Sequence, residues 1–422
     1  MFDAEKLLMR ALLLMPSFWG GATWTVWLCL YVARLIPWDR PTSFSLTLFG
    51  TVSLCYFLST MLFYRRFQRA SQILTFGSKQ STVSQRSTTN LLPVIGVFHT
   101  AGFIGIGIYV YTVASTLGGL NKLLQLLQGQ GNSYLIREEN TLRDYPGLEL
   151  TYLGWLAIWL TIISRSQRGI SWVWVFVSLV QFAGNLLFVD RTRPSWIIFV
   201  GAMLLILYSN RSPAQLVRNV FVQALCLLGL FVAISIWSGK RVYGNPYGET
   251  PLPNWAVGVY LYGTGGFAYF DKLLRTETPD LGFPTRVVTP FVKVTSLLRL
   301  SPPPPNEVLE FLSVPFRTNV GTFLEPFYQD GGLLYVFMGV VIYSFGFNWW
   351  GIILLKTRSS FGKVLWANLC FTAAIGFFVP KVGATALWLV VLLTVGSLLM
   401  FSRRPASVDT ISMDYGSIPK RA

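Results

Sequence analysis

Charged residues are scarce in this 422-residue chain. Asp, Glu, Lys and Arg make up only 12% of it, whereas soluble domains average roughly 25%. Hydrophobic residues make up 53%, and apolar runs approaching membrane-spanning length recur from end to end. A water-soluble globule of this size could not bury so much apolar surface. The composition therefore predicts a polytopic membrane protein, and it excludes a cytosolic enzyme, a nucleic-acid regulator and a secreted disulfide scaffold.

Residues that commonly bind metals are also few. The only histidine, His99, lies well inside an apolar run, where a packed and hydrogen-bonded role is the favoured interpretation. Each of the four cysteines lies in an apolar run without a CxxC or Cys/His neighbourhood, so we interpret them as packing residues. A zinc site is not expected, and we predict no metal and no cofactor. No small-residue cleavage site follows the first apolar stretch, so no cleavable signal peptide is expected.

Ten apolar runs, separated by charged or Gly/Pro-rich breaks, are candidates for transmembrane helices. They are 17–37, 43–64, 91–114, 148–164, 170–188, 195–210, 220–238, 332–355, 364–380 and 383–401. The segment 3–15 is too short to cross the bilayer and is expected to lie at its interface. The predicted fold class is an all-α integral membrane protein with about ten transmembrane helices.

The distribution of basic residues predicts the orientation. Ten spans place both termini on one side, and nearly all of the net charge of +16 falls on that side. By the positive-inside rule this side is the cytoplasm. The chain then divides into membrane helices at 1–238, a large extracytoplasmic loop at 239–331, further membrane helices at 332–402 and a cytoplasmic tail at 403–422.

The segment 239–331, called the large loop below, is too apolar to be a linker. It contains helix-like stretches at Trp255–Leu274, Val287–Leu300 and Val308–Phe316, and the tetraproline Pro302–Pro305 separates the last two. We expect it to fold back onto the membrane or into a cavity between helices. Long, ordered loops next to a membrane often carry function.

Four groups of basic residues fall on the predicted outer face. Any single arginine there could bind lipid headgroups, but four groups on one face suggest an anionic ligand such as a pyrophosphate. The four groups are Arg191 with Arg193, Lys240 with Arg241, Arg137 with Arg143, and Arg317 alone. The residues predicted to bind the pyrophosphate are Arg191, Arg193, Arg317, Lys240 and Arg241. No span carries a carboxylate at its middle, which argues against an ion-coupled transporter.

A second pattern suits sugars, because aromatic faces stack on pyranose rings while amides and carboxylates bind hydroxyls. The stretch from Arg317 to Gly332 combines these residue types. The members of this constellation are Arg317, Asn319, Thr322, Glu325, Tyr328 and Asp330.

The segment TNVGTFLEPFYQDGGLLYVFMGVVIYSFG (318–346) resembles bacterial oligosaccharide repeat-unit polymerases, the Wzy-type O-antigen and capsule polymerases. That family shows N-x-x-T-F followed by P-x-Y-x-D-x-G entering a helix. The matching residues are Asn319, Thr322, Phe323, Pro326, Tyr328, Asp330 and Gly332. The chain departs from the pattern in Q-D-G-G, where the family more often has an aromatic residue between Asp and Gly.

Two further stretches are similar to the same family. They are YLYGTGGFAYFDKLL (260–274) and DRTRPSWIIFVGAML (190–204), and together the motifs cover about a quarter of the chain. The resemblance implies a GT-C-like membrane glycosyltransferase of the bacterial cytoplasmic membrane with an extracytoplasmic active site. It would transfer a growing glycan from a polyprenyl pyrophosphate carrier to a fresh lipid-linked repeat unit, without metal or nucleotide sugar. Its implied partners are these lipid-linked oligosaccharides, the bilayer and a chain-length regulator, with no nucleic acid.

Such a reaction assigns roles to the candidate residues. Arginine or lysine would stabilise the pyrophosphate leaving group, and a carboxylate would accept the proton of the attacking hydroxyl. Asp330 and Glu325 are the first candidates for this base, together with Arg317 as a catalytic cation, and Asp190 and Glu139 follow. Asp330 could equally be a helix N-cap. The residues predicted to contact substrate are Asn319, Thr322, Tyr328, Tyr262 and Arg137.

Other functions remain open. A related O-antigen ligase would rely on a histidine and an arginine in the large loop, and the absence of histidine there favours a polymerase. A polysaccharide flippase or exporter would be built from two similar halves without a long folded loop. Dolichol-phosphate-sugar transferases carry an acidic pair in the first outer loop, where this chain has only Asp39.

Overall fold

The protein is mostly helical, as predicted. The computed structural model describes residues 2–80, 91–127, 147, 149–188, 192–208, 213–237, 250–305, 309–314, 317–357, 359–379 and 384–402. The helices before the large loop are α1 (Phe2–Leu13), α2 (Pro16–Ala33), α3 (Ser43–Gln80), α4 (Leu91–Leu117), α5 (Leu120–Leu127), α6 (Leu150–Arg168), α7 (Trp172–Leu186), α8 (Thr192–Tyr208) and α9 (Pro213–Trp237).

The remaining elements belong to the large loop and the C-terminal part. They are α10 (Asn254–Thr276), α11 (Thr289–Leu297), β1 (Leu312–Ser313), β2 (Arg317–Thr318), α12 (Leu324–Val341), a π-helical turn (Ile342–Gly346), α13 (Phe347–Lys356), α14 (Ser360–Ile375) and α15 (Thr385–Ser402). The two short strands pair antiparallel, with Leu312 opposite Thr318.

Each of the ten predicted spans coincides with a helical segment. Among the described residues, three helices are long and apolar enough to cross a membrane: Ser43–Gln72, Leu91–Leu117 and Leu324–Lys356. Five more apolar helices are shorter: Trp172–Leu186, Thr192–Tyr208, Ala214–Leu230, Ser360–Ile375 and Thr385–Ser397. The helical content and these apolar helices are those of a membrane-embedded, all-α protein.

Two predicted segments differ from the structure in their bounds or conformation. The helix that contains the span expected at 332–355 begins earlier, at Leu324, and a kink at the non-helical Gly331 and Gly332 divides it where the span was expected to begin. The helix-like stretch 308–316 is wrong in its described part, where the backbone is extended and forms β1. Helix α1, in the segment expected at the membrane interface, packs against the bundle, and its Arg10 is buried and donates to the Leu207 carbonyl at 2.6 Å.

Small residues allow two helices to approach closely. A Cβ atom on Gly102 of α4 would lie 2.6 Å from the Gly154 Cα of α6. Interfaces between apolar helices commonly use glycine in this way, because it brings the backbones into van der Waals contact. This contact helps to build one of the two large apolar clusters, which joins α1, α4, α6, α8, α13, α14 and α15.

The large loop is built into the bundle, and it contributes to the second cluster. Helix α10 packs against α2: the Tyr260 hydroxyl donates to the Leu30 carbonyl at 2.7 Å, and Trp38 Nε1 donates to Thr264 Oγ1 at 2.9 Å. A Cβ atom on Gly263 would clash with the Trp27 ring at 2.0 Å. The predicted return of this loop between helices is therefore observed for α10.

Candidate functional site

A buried turn precedes α12 and positions the first candidate residues. Thr322 Oγ1 accepts the Leu324 backbone N–H at 3.1 Å, so the turn initiates the helix as a serine or threonine cap does. The Phe323 N–H donates to the Gly376 carbonyl at 2.7 Å, which ties the turn to the segment after α14. These bonds fix the backbone immediately before Glu325.

The Glu325 carboxyl group is completely buried at this turn. Its Oε2 accepts the Thr322 hydroxyl at 3.1 Å, whereas Oε1 has no hydrogen-bond partner among the described atoms. Gly321 lies against it, since a Cβ atom there would be 3.1 Å from the carboxyl carbon and 2.4 Å from Leu309 Cδ1. A buried carboxyl oxygen without a donor is costly, so this group requires a chemical or structural reason.

Tyr269 of α10 is close enough to sense this carboxylate. Burial raises the pKa of the Tyr269 phenol, and negative charge on Glu325 raises it further. The side chain is 2% exposed. The large loop thus contributes a buried phenol whose pKa responds to the charge on Glu325, which the sequence did not lead us to expect.

Asp330 binds a turn of the large loop. Its Oδ2 accepts the backbone N–H groups of Arg286 and Val287 at 2.8 and 2.9 Å, and Oδ1 accepts the Thr285 hydroxyl at 3.4 Å. These hydrogen bonds go to the 285–287 turn rather than to the first turn of the helix that resumes after the kink at Gly331 and Gly332. Asp330 instead holds the turn that leads into α11.

Tyr328 also holds the large loop. Its hydroxyl donates to the Glu277 carbonyl at 3.1 Å, and its ring meets that of Phe270 edge-on at 5.8 Å. Asn319, another predicted substrate contact, is half-buried in the stretch between β2 and the Thr322 turn. The predicted constellation from Asn319 to Asp330 is therefore one folded unit.

The structure brings two of the three motif stretches together. Gly266 of α10 fits against the stretch before α12, where a Cβ atom would lie 3.1 Å from Thr322 and 2.8 Å from the Phe377 carbonyl oxygen. With the Tyr269 and Phe270 contacts described above, the stretches 260–274 and 318–332 form one cluster although about 50 residues separate them.

Arg193, from the third stretch, lies in another environment. Its guanidinium stands over the rings of Phe188 at 4.4 Å and Tyr152 at 5.5 Å, and it donates to Thr151 Oγ1 at 3.5 Å. These partners belong to α6 and the end of α7, whereas Glu325 packs with α10 and the 309–322 segment. The cation–π contacts explain how this cation is held.

The other predicted basic residues cannot be placed around the carboxylates. Arg317 contributes backbone to β2, and its side chain lies outside the described part of the chain. The predicted residues Arg137, Glu139, Asp190, Arg191, Lys240 and Arg241 lie outside the described residues.

One buried aspartate, Asp271, was not among the predicted site residues. Asp271 is 2% exposed, forms an ion pair with Arg275, and accepts the backbone N–H and the hydroxyl of Thr42, both at 3.0 Å. It anchors the connection before α3 to α10. In the sequence, the i,i+4 spacing of Asp271 and Arg275 could have indicated this ion pair.

Tyr262 lines a cavity of about 360 Å³ rather than the polar cluster. The walls come from α2, α8, α9, α10 and α14, and they are almost entirely apolar. The ring of Tyr262 meets Phe378 edge-on at 5.7 Å. Tyr262 thus lies in an apolar environment, and its contact with sugar stays a prediction.

Within the described ranges, no group of three or more His, Cys, Asp or Glu side chains could hold a metal ion. Comparison of the chain with protein-family models, curated proteins and solved structures gives no match.

Proposed function

We propose that the protein is a membrane glycosyltransferase that polymerises oligosaccharide repeat units carried on polyprenyl pyrophosphate. The product would be a surface polysaccharide, made at the outer face of a bacterial cytoplasmic membrane. A chain-length regulator is the further partner proposed, and no metal or cofactor takes part.

One observation supports this proposal above the others. The two stretches that most resemble repeat-unit polymerases, 260–274 and 318–332, pack together around the buried Glu325 carboxyl group. A resemblance scattered over unrelated surfaces would carry little weight. Here the residues of both stretches share one cluster, as expected of a common site.

The geometry changes the assignment of the base. Both oxygens of Asp330 already accept hydrogen bonds, so we propose that Asp330 positions the large loop. Glu325 keeps one oxygen without a donor, which suits a group that accepts the proton of the attacking sugar hydroxyl. Because Glu325 is buried, Leu309 and its neighbours must move aside when substrate binds.

The basic residues of the large loop and the α7–α8 connection would bind the pyrophosphate. We propose Arg191, Arg317, Lys240 and Arg241 for this role, because negative charge develops on the leaving group. Arg193 would support this region from its aromatic surroundings. The proposal includes ten membrane crossings in a GT-C-like arrangement, with both termini in the cytoplasm.

Reconstitution with a single substrate tests the proposal. Purified protein in vesicles is supplied with its lipid-linked repeat unit alone, and the products are separated by size. We expect a ladder of longer lipid-linked glycans. Transport of the substrate without new glycosidic bonds would favour a flippase, and transfer only to an added non-repeat acceptor would favour a ligase; either result would overturn the polymerase.

A further inference from the structure

The apolar cavity is elongated along the helices that line it. On α2 its lining extends from Trp19 to Trp27, and on α8 from Thr192 to Ile206. At 1.5 Å per residue these distances are about 12 and 21 Å. One leaflet of a bilayer contributes about 15 Å of hydrocarbon, half of the full core. The cavity therefore has the depth of a single leaflet.

The walls of the cavity suit hydrocarbon and little else. Among the residues that the structure describes, no charged side chain lines it, and Phe199, Met203 and Phe371 are typical members. Apolar cavities of this kind exclude water. Left empty, a space of about 360 Å³ would deprive its lining of dispersion contacts.

Helix α9 places the cavity next to the lipid-exposed surface. Its cavity side includes Val220 and Leu227, while Phe221, Val222 and Leu225 on its other faces are at least half exposed. A helix that is apolar on all sides is typical of a membrane environment. The cavity is partly open, and Ala224 and Leu228 of α9 line it although they are exposed, so it reaches the surface that a bilayer would cover.

We propose that the cavity binds one acyl chain of a bilayer phospholipid. Its lining is apolar and it lies beside the surface that a bilayer would cover, so the hydrocarbon closest to it is an acyl chain of a bilayer phospholipid. The hydroxyl-bearing residues Thr192 and Ser195 form one end, where an uncharged ester group fits. The proposal does not depend on the glycan chemistry.

The bound chain would also support the candidate site. Phe377 and Phe378 line the cavity and directly follow Gly376, whose carbonyl accepts the N–H of Phe323 at 2.7 Å. Phe323 lies two residues before Glu325. Packing of an acyl chain against the two phenylalanines would therefore hold the backbone that positions the buried carboxyl group.

Photocrosslinking tests this site in the full-length protein. The protein is reconstituted in vesicles of phosphatidylethanolamine and phosphatidylglycerol that contain a small fraction of a phosphatidylcholine with a diazirine at mid-chain. Mass spectrometry then locates the adducts. We expect adducts on cavity residues such as Phe199 and Met203, and also on the bilayer-facing Leu62 of α3, which is 68% exposed.

Two variants narrow the cavity from opposite walls: Ala202→Phe on α8 and Leu227→Phe on α9. Each should reduce the cavity adducts at least fivefold while leaving those on Leu62 unchanged, and either variant suffices if the other fails to fold. Val222→Phe, on the exposed face of α9, is the matched control and should change neither. Equal cavity adducts in all variants would overturn the site. Selective loss of cavity adducts on adding a polyisoprenol would overturn the acyl chain as the occupant.

Discussion

The Asp330 carboxylate accepts the backbone N–H of Val287 at 2.9 Å, and the same oxygen accepts that of Arg286 at 2.8 Å. A residue at the kink of α12 thus holds a turn more than 40 positions earlier in the chain. Because the carboxylate is almost fully buried, the bonds are protected from competition by water. The shape of the large loop before α11 depends on this side chain.

Removing the Asp330 side chain should loosen that turn. We expect Asp330→Ala to lower the free energy of unfolding by about 1–3 kcal/mol, since two backbone donors lose their acceptor. Asp330→Asn keeps one acceptor oxygen and should cost less. Thermal unfolding in detergent measures the stability, and hydrogen exchange over residues 280–290 measures the loosening. Asp280→Asn removes an exposed charge from the same loop and is the control; equal exchange in all three proteins would contradict the role of Asp330.

Glu325 is the proposed base, so its ability to take up a proton should matter more for the reaction than its contribution to the fold. Glu325→Gln preserves the shape and an acceptor for the Thr322 hydroxyl, but it cannot take up a proton. We expect about 10²- to 10⁴-fold slower ladder formation in the reconstituted assay, the range typical of a lost general base. Stability should change little. Glu310→Gln is the control because this exposed carboxylate also lies near Tyr269. A normal ladder from Glu325→Gln would remove Glu325 from the mechanism.

The apolar helices could be predicted because a run of apolar residues is visible in the local sequence, and each of the ten predicted runs is helical. The roles of Asp330 and Tyr262 could not. The sequence shows that Asp330 precedes an apolar run, which suits an N-cap, but only the tertiary structure brings the 285–287 turn to it. Tyr262 belongs to a motif rich in aromatic residues, yet the rotation of α10 directs it into the apolar cavity. The pairing of Asp271 with Thr42 likewise links residues 229 positions apart.

The contact between Asp271 and Thr42 should contribute substantially to stability. Asp271→Ala removes the acceptor of the Thr42 backbone N–H and one partner each of the Thr42 hydroxyl and the Arg275 guanidinium, which keep Ser45 Oγ and the Arg40 carbonyl respectively. We expect a loss of about 2–4 kcal/mol, from the cost of unsatisfied buried groups. Thr42→Val removes only the hydroxyl and should cost about 1 kcal/mol.

A double-mutant cycle isolates the interaction between Asp271 and Thr42 from the other effects of the two substitutions. If the two groups interact directly, Asp271→Ala combined with Thr42→Val should cost less than the sum of the single changes. Thr47→Val, an exposed threonine on the same helix α3, is the control and should be almost neutral. Strict additivity between Asp271→Ala and Thr42→Val would show that the hydrogen bond adds nothing.

Two glycines of α4 differ in how closely α6 approaches them, so one can serve as the control for the other. Gly102→Ala would place a Cβ atom 2.6 Å from the Gly154 Cα and 2.7 Å from the Gln181 amide nitrogen, whereas Gly107→Ala meets nothing within 4 Å. Because backbone atoms cannot move aside as a flexible side chain can, the two helices must separate. We expect Gly102→Ala to lower stability by about 1–3 kcal/mol, as overpacking does, and Gly107→Ala to be neutral or slightly stabilising through helix propensity. Thermal unfolding of both variants in the same detergent checks this, and equal stabilities would mean that the two helices are not in backbone contact.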